Sequence, residues 1–135
     1  MTSPSPLLHR ARRGILTTLL ALWIAALVLS HFPVERLPEM STSDKRLHFA
    51  GFFLLSGLLL LSLAAYGVRH SRRIPIALVM MVLYAAIDET TQPWFNRSCD
   101  SRDFLADVLG AVAAIVGGAA LVVVQRKVRT PARRT

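Results

Sequence analysis

One cysteine, Cys99, among 135 residues excludes an intrachain disulfide and any multi-cysteine metal site. Charge is scarce as well. Asp, Glu, Lys and Arg together make up 18 % of the chain against 53 % hydrophobic residues, and mean hydropathy is +0.48. The strand and helix spacings of a water-soluble fold are missing too, because the apolar residues come in long runs that need lipid or a buried core around them. A chain too short for more than one domain cannot surround several such helices with amphipathic ones. These absences leave a membrane protein. No internal repeat and no Gly-rich phosphate loop is present.

What is there is four apolar runs. The first, GILTTLLALWIAALVLSHFPV (14–34), contains no Asp, Glu, Lys or Arg, and the second, LHFAGFFLLSGLLLLSLAAYGV (47–68), has His48 as its one ionisable group apart from tyrosine. The third, IPIALVMMVLYAAI (74–87), and the fourth, VLGAVAAIVGGAALVVV (108–124), are 14 and 17 residues long. Crossing about 30 Å of hydrocarbon takes roughly 20 helical residues. The last two runs reach that length only if their helices take in Asp88, Glu89, Asp103 and Asp107, so these carboxylates are expected inside the spans. The expected fold is all-α, a polytopic four-transmembrane-helix bundle. It divides into a basic N-terminus (1–13), a first transmembrane helix (14–34), a three-helix core (44–124) and a basic tail (125–135).

Positive charge orients such a bundle, because loops rich in Lys and Arg stay cytoplasmic. Arg10, Arg12 and Arg13, then Arg69, Arg72 and Arg73, then Arg126, Lys127, Arg129, Arg133 and Arg134 lie in three segments without a single acid. The other two loops and their bordering helix ends carry Arg36, Lys45, Arg46, Arg97 and Arg102 with all eight acids, Glu35, Glu39, Asp44, Asp88, Glu89, Asp100, Asp103 and Asp107. The expected placement is the cytoplasmic (inner) membrane, with both termini cytoplasmic and every carboxylate toward the outside. An uncleaved first span is favoured over a signal peptide, because the apolar stretch is long and no Ala-x-Ala site follows it. The net charge of +8 does not call for nucleic acid, since the tail QRKVRTPARRT reads as a stop-transfer anchor on anionic lipid.

Three polar groups fall on the outer side. In SDKRLHF, Asp44 and His48 share a helix face, Ser43 stands at an N-cap position, and Asp44 suits the helix start. End effects alone account for this group, with Lys45 and Arg46 as interfacial anchors. In DETTQPWF, both Asp88 and Glu89 can approach Gln92, Pro93 ends the helix, and Trp94 and Phe95 read as an aromatic belt. Ionised groups at that depth require a partner or a water-filled cavity, and default to a functional reading. The bland alternative is an ion pair of Glu89 with Lys45, Arg97 or Arg102 that fixes helix packing. In NRSCDSRDFLADVLG, Asp103, Asp107 and Gly110 line one face, and Ala114, Gly117 and Gly118 continue a small-residue stripe that lets membrane helices approach closely. Nothing around Cys99 argues for a depressed thiol pKa. Three spans thus contribute polar clusters at one depth, and the first span is expected to contribute none.

These residues resemble the VanZ-like family of small bacterial membrane proteins. The matching pattern is Asp-Lys-x-x-His-Phe (Asp44, Lys45, His48, Phe49), Asp/Glu-Glu-x-x-Gln (Asp88, Glu89, Gln92), an Arg (Arg97) and Asp-x-x-Ala-Asn/Asp-x-x-Gly (Asp103, Ala106, Asp107, Gly110). The resemblance covers about residues 44 to 118 and leaves the first span as an appended helix. It departs at Asp107, where many members have Asn, and at Asn96, where Gly is usual. The family takes its name from a protein associated with teicoplanin resistance in a glycopeptide-resistance cluster, so the resemblance implies a cell-envelope role and supplies no reaction.

The leading functional expectation is a site for a polar ligand at the outer surface, a lipid-linked envelope precursor or phospholipid headgroup. Its residues would be Asp44, Lys45, His48, Asp88, Glu89, Gln92, Arg97, Arg102, Asp103 and Asp107, with Lys45, Arg97 and Arg102 meeting phosphate. The second expectation is an intramembrane enzyme in which His48, Asp88, Glu89 and Asp103 are catalytic candidates. With Asp107 they include the ingredients of acid/base work or of an oxygen-rich divalent-metal site. No metal or cofactor is assigned. Proton-coupled transport ranks third, because the titratable groups all sit at one end, and a purely structural membrane protein is the remaining class. Neither the ligand nor the oligomeric state is readable from the residues.

Overall fold

The computed structural model describes residues 6–32 and 44–129. They form four helices, α1 (Pro6–Ser30), α2 (Asp44–Ala65), α3 (His70–Thr91) and α4 (Ser101–Arg129), with a 3-10 turn over Gln92–Phe95 and no strand among the described residues. All four helices are long and apolar enough to cross a membrane. The first starts at Pro6, eight residues before the apolar run, and its helical path stops at Ser30. Ser43 and the 33–43 loop acids Glu35 and Glu39 lie outside the described residues, as does the chain beyond Arg129.

The bundle is packed for lipid. Leu54, Leu61, Val79, Leu83, Leu109 and Val116 are exposed, whereas Ala77, Ala85, Ala111, Ser56 and four acidic residues are buried. Large apolar side chains cover the outside, while small and polar residues share the interior with a core of Leu19, Phe52, Leu55, Leu59, Met81 and Ile115. Lipid tails are as apolar as leucine, so helices associate by close packing. The pair α2 and α4 packs most extensively. Their closest approach is at Gly110, where an added Cβ would collide with the Phe49 carbonyl oxygen and lie 3.0 Å from the Phe49 carbonyl carbon. Gly118 faces α2 at Leu60 Cδ1, 3.3 Å from an added Cβ, but Gly117 faces open space. The stripe therefore runs through Gly110, Ala114 and Gly118. Gly117 falls outside it, since adjacent helical residues point about 100° apart.

Local chemistry sets the helix ends. Helix α2 closes with Gly67 at φ +79, with Val68 N–H on Leu63 O at 2.9 Å and Gly67 N–H on Ala64 O at 3.0 Å, the paired bonds of a Schellman cap. Pro93, lacking an N–H, ends α3 as an α-helix, and the chain continues as the 3-10 turn. Asn96 then adopts φ 58, a left-handed conformation that glycine takes freely and asparagine tolerates, so Asn in place of Gly keeps the turn. Asp100 caps α4: its side chain accepts the Arg102 N–H at 2.8 Å, and its carbonyl accepts Asp103 N–H at 2.9 Å. These caps and turns bring the C-terminal ends of α1 and α3 and the N-terminal ends of α2 and α4 to one end of the bundle.

Candidate functional site

At this end α2, α3 and α4 place their polar residues together. Asp88, Glu89, Gln92, Asp103, Asp107 and His48 are all buried, so the carboxylates lie within the helices and turn inward. A buried link joins α2 to α4, with His48 Nδ1 3.0 Å from Asp107 Oδ1. Asp44, one turn before His48, stands 3.9 Å from its Nε2. Helical spacing thus does put Asp44 and His48 on one face, but the nearer partner of His48 comes from another helix.

Two cationic clasps close the rim. Lys45 Nζ donates to Asp103 Oδ1 at 2.9 Å and to Asp100 Oδ2 at 3.1 Å, tying the start of α2 to the start of α4. Arg97 Nη2 donates to Asp44 Oδ2 at 3.0 Å, tying the loop after α3 to α2. The backbone N–H of Arg102 and the Lys45 ammonium hold the Asp100 carboxyl below its usual range. Arg102 itself is exposed.

The two adjacent acids in the last turn of α3 take their hydrogen bonds from neutral donors. Asp88 accepts the Ser30 hydroxyl at 2.6 Å and the Gln92 amide at 3.4 Å. Glu89 accepts the Gln92 amide at 3.2 Å and the Asp100 backbone N–H at 3.0 Å. Both acids therefore do meet Gln92, as their spacing predicts. The bland alternative, an ion pair of Glu89 with Lys45, Arg97 or Arg102, does not form: Lys45 and Arg97 are held at the rim by Asp100, Asp103 and Asp44, and Arg102 is exposed.

The first span also departs from expectation, since it contributes polar groups. Besides the Ser30–Asp88 bond, His31 Nε2 lies 2.7 Å from Thr91 Oγ1, its Nδ1 3.7 Å from Asp88 Oδ1, and its ring meets Phe95 edge-on at 4.9 Å. Ser30 and His31 carried no motif, and an SH pair at the end of an apolar run reads as a connection. Asp100 was missed as a site member although Asp-Ser-Arg-Asp before an apolar run is a helix-start signal. Trp94 is 78 % exposed at the same end, where an interfacial aromatic would sit. Cys99 is exposed and free.

Beside this cluster an apolar groove of about 530 Å³ runs between α1 and α2. Leu22, Ala25, Leu29, Leu47, Gly51 and Leu54 line it, and Ser30, Asp44, His48 and Arg97 stand on its wall as the polar groups. An apolar slot with polar groups at one end can take a molecule that is greasy along most of its length and polar at its head. His48, backed by Asp107, can accept or donate a proton at the same place.

A family model described as VanZ/LLP1 matches residues 15–122, beginning inside α1 rather than at Asp44. No curated protein and no solved structure matches the chain.

Proposed function

The chain belongs to the VanZ/LLP1 family, and from that premise we propose that it is an envelope membrane protein that binds the headgroup of a lipid or lipid-linked envelope precursor. The headgroup meets Asp44, His48 and Arg97, and the hydrocarbon lies in the groove between α1 and α2. The observation that carries this reading is the continuity of the apolar groove with that polar cluster. Arg97 uses one guanidinium nitrogen on Asp44, and the remaining donors of its fork suit a phosphate oxygen. Lys45 is a weaker phosphate contact than its charge suggests, because Asp100 and Asp103 already occupy it. The segregation of basic and acidic loops supports an inner-membrane placement with both termini cytoplasmic and the site on the outer face. A role in glycopeptide resistance is the form of envelope function that the family name suggests.

Native mass spectrometry of the full chain in lipid nanodiscs tests this reading. A lipid should stay bound to wild type and be lost from Gly51→Phe, which fills the groove. Nothing lies within 4 Å of a Cβ at Gly51, so folding should survive that change. Retention of the same lipid by a folded Gly51→Phe variant refutes the groove as its seat.

A second reading, an intramembrane acid/base enzyme on a lipid-linked substrate, is favoured by the buried His48–Asp107 contact facing the groove. In that case His48→Gln should keep the bound lipid and abolish its turnover. Loss of both together would return His48 to a binding role.

A further inference from the structure

Behind the rim lies a set of groups that the two clasps leave uncompensated. Ligating atoms of His48, Asp88, Glu89 and Asp107 all fall within 4.8 Å of one another, and all four residues are buried. Three are carboxylates. Lys45 and Arg97 are spent on Asp100, Asp103 and Asp44, and the donors to Asp88 and Glu89 are a hydroxyl, an amide and a backbone N–H. Among the described residues, the imidazoles of His31 and His48 are the basic side chains within ion-pair reach of these acids. Asp107 is 0 % exposed, yet its Oδ2 has no hydrogen-bond partner. A buried carboxylate oxygen without a donor, beside two further acids, marks a position that calls for a positive charge.

We propose that His48, Asp88, Glu89 and Asp107 bind one divalent metal ion. Oxygen ligands sit about 2.0–2.6 Å from a divalent cation, so ligands on opposite sides of one ion stand about 4–5 Å apart. The observed spread needs little closing to reach that geometry. The mixture of one imidazole with three carboxylates favours a first-row ion such as Mn²⁺ or Zn²⁺ over Mg²⁺ or Ca²⁺, which prefer oxygen alone. The supporting bonds are in place too: Ser30 and Gln92 orient Asp88, and Gln92 and the Asp100 N–H orient Glu89. Because the ligands come from α2, α3 and α4, the ion cross-ties three helices at the polar end. The inference is independent of the lipid reading, as every ligand belongs to the protein. His48 also borders the groove, which puts the ion beside the position where an anionic headgroup would arrive.

The test uses the full chain in a phosphate-free, uncharged detergent, stripped with a chelator and titrated with Mn²⁺ under electron paramagnetic resonance. One Mn²⁺ per chain is expected, displaced by Zn²⁺, with a nitrogen modulation in the electron spin echo that disappears in His48→Gln. Glu89→Gln and Asp107→Asn should each weaken binding about tenfold or more. Gly51→Phe should lose lipid while keeping Mn²⁺, which separates failure of the ion site from failure of the lipid site. The wild-type titration decides the matter even where a variant does not fold. Absence of a stoichiometric site for Mn²⁺ and Zn²⁺ in the folded wild type overturns the proposal. So does Mn²⁺ binding without the nitrogen signature, or binding unchanged in both acid variants.

Discussion

Replacing Gly110 by alanine adds one methyl group where α2 and α4 leave no room. The added carbon would meet the Phe49 backbone, with its Cα at 3.1 Å and its carbonyl oxygen closer still. Backbone atoms cannot rotate aside as a side chain can. Restoring contact near 3.5–4.0 Å therefore means parting the two helices by on the order of 1 Å. Overpacking of this kind costs about 1–3 kcal/mol, and a clash with backbone belongs at the upper end. Alanine returns about 1 kcal/mol of helix propensity, so the net loss should be about 2 kcal/mol. The same separation would stretch the His48–Asp107 contact, 3.0 Å in the structure, to about 4 Å and out of hydrogen-bonding range. Gly117→Ala is the matched control. Nothing lies within 4 Å of its added carbon, so it should be neutral or stabilising by up to about 1 kcal/mol. Unfolding of both variants in mixed micelles, followed by circular dichroism, measures the gap, expected at about 2–3 kcal/mol from these terms. Equal stability of Gly110→Ala and Gly117→Ala would refute Gly110 as the point of closest approach.

Ser30→Ala removes a 2.6 Å bond to buried Asp88, and hydrogen bonds to charged groups are worth about 1.5–3 kcal/mol; it should lower the melting temperature well below that of Thr17→Ala, whose hydroxyl bonds only within α1. Lys45→Met should destabilise the fold more than Arg102→Met, because Lys45 joins α2 to α4 through two acids, and matching melting curves for the two variants would contradict this. Since the Asp100 carboxyl is held below its ordinary value of 3.8, its share of that clasp is complete above this value and is lost only as pH falls through the lowered one; carboxylate NMR should place the Asp100 midpoint below 3.8, and a midpoint at or above that value would contradict the clasp. With Cys99→Ala as background, a cysteine at Ser101 should react with an impermeant thiol reagent on intact cells and one at Ser71 should not, while the opposite pattern would turn the bundle over.

The four spans and the depth of the acids were legible from residue order, because a span is a local property. An apolar run of given length has one stable arrangement in lipid, and runs too short to cross must draw their neighbouring acids into the helix. Most members of the polar end were legible for the same reason, since positions three or four apart on a helix face one way. Which acid meets which cation was not. Lys45 meeting Asp100 and Asp103 rather than Glu89, and Ser30 reaching Asp88 across 58 positions, depend on how each helix is rotated and how closely it approaches the next. Gly110 against the Phe49 backbone sets that approach for α2 and α4, and Pro93, Asn96 and the Asp100 cap set where α4 begins. A shift of one residue turns a helical side chain by about 100°, so the packed bundle alone decides which carboxylates are clasped at the rim and which three are left beside His48 without a cation of their own.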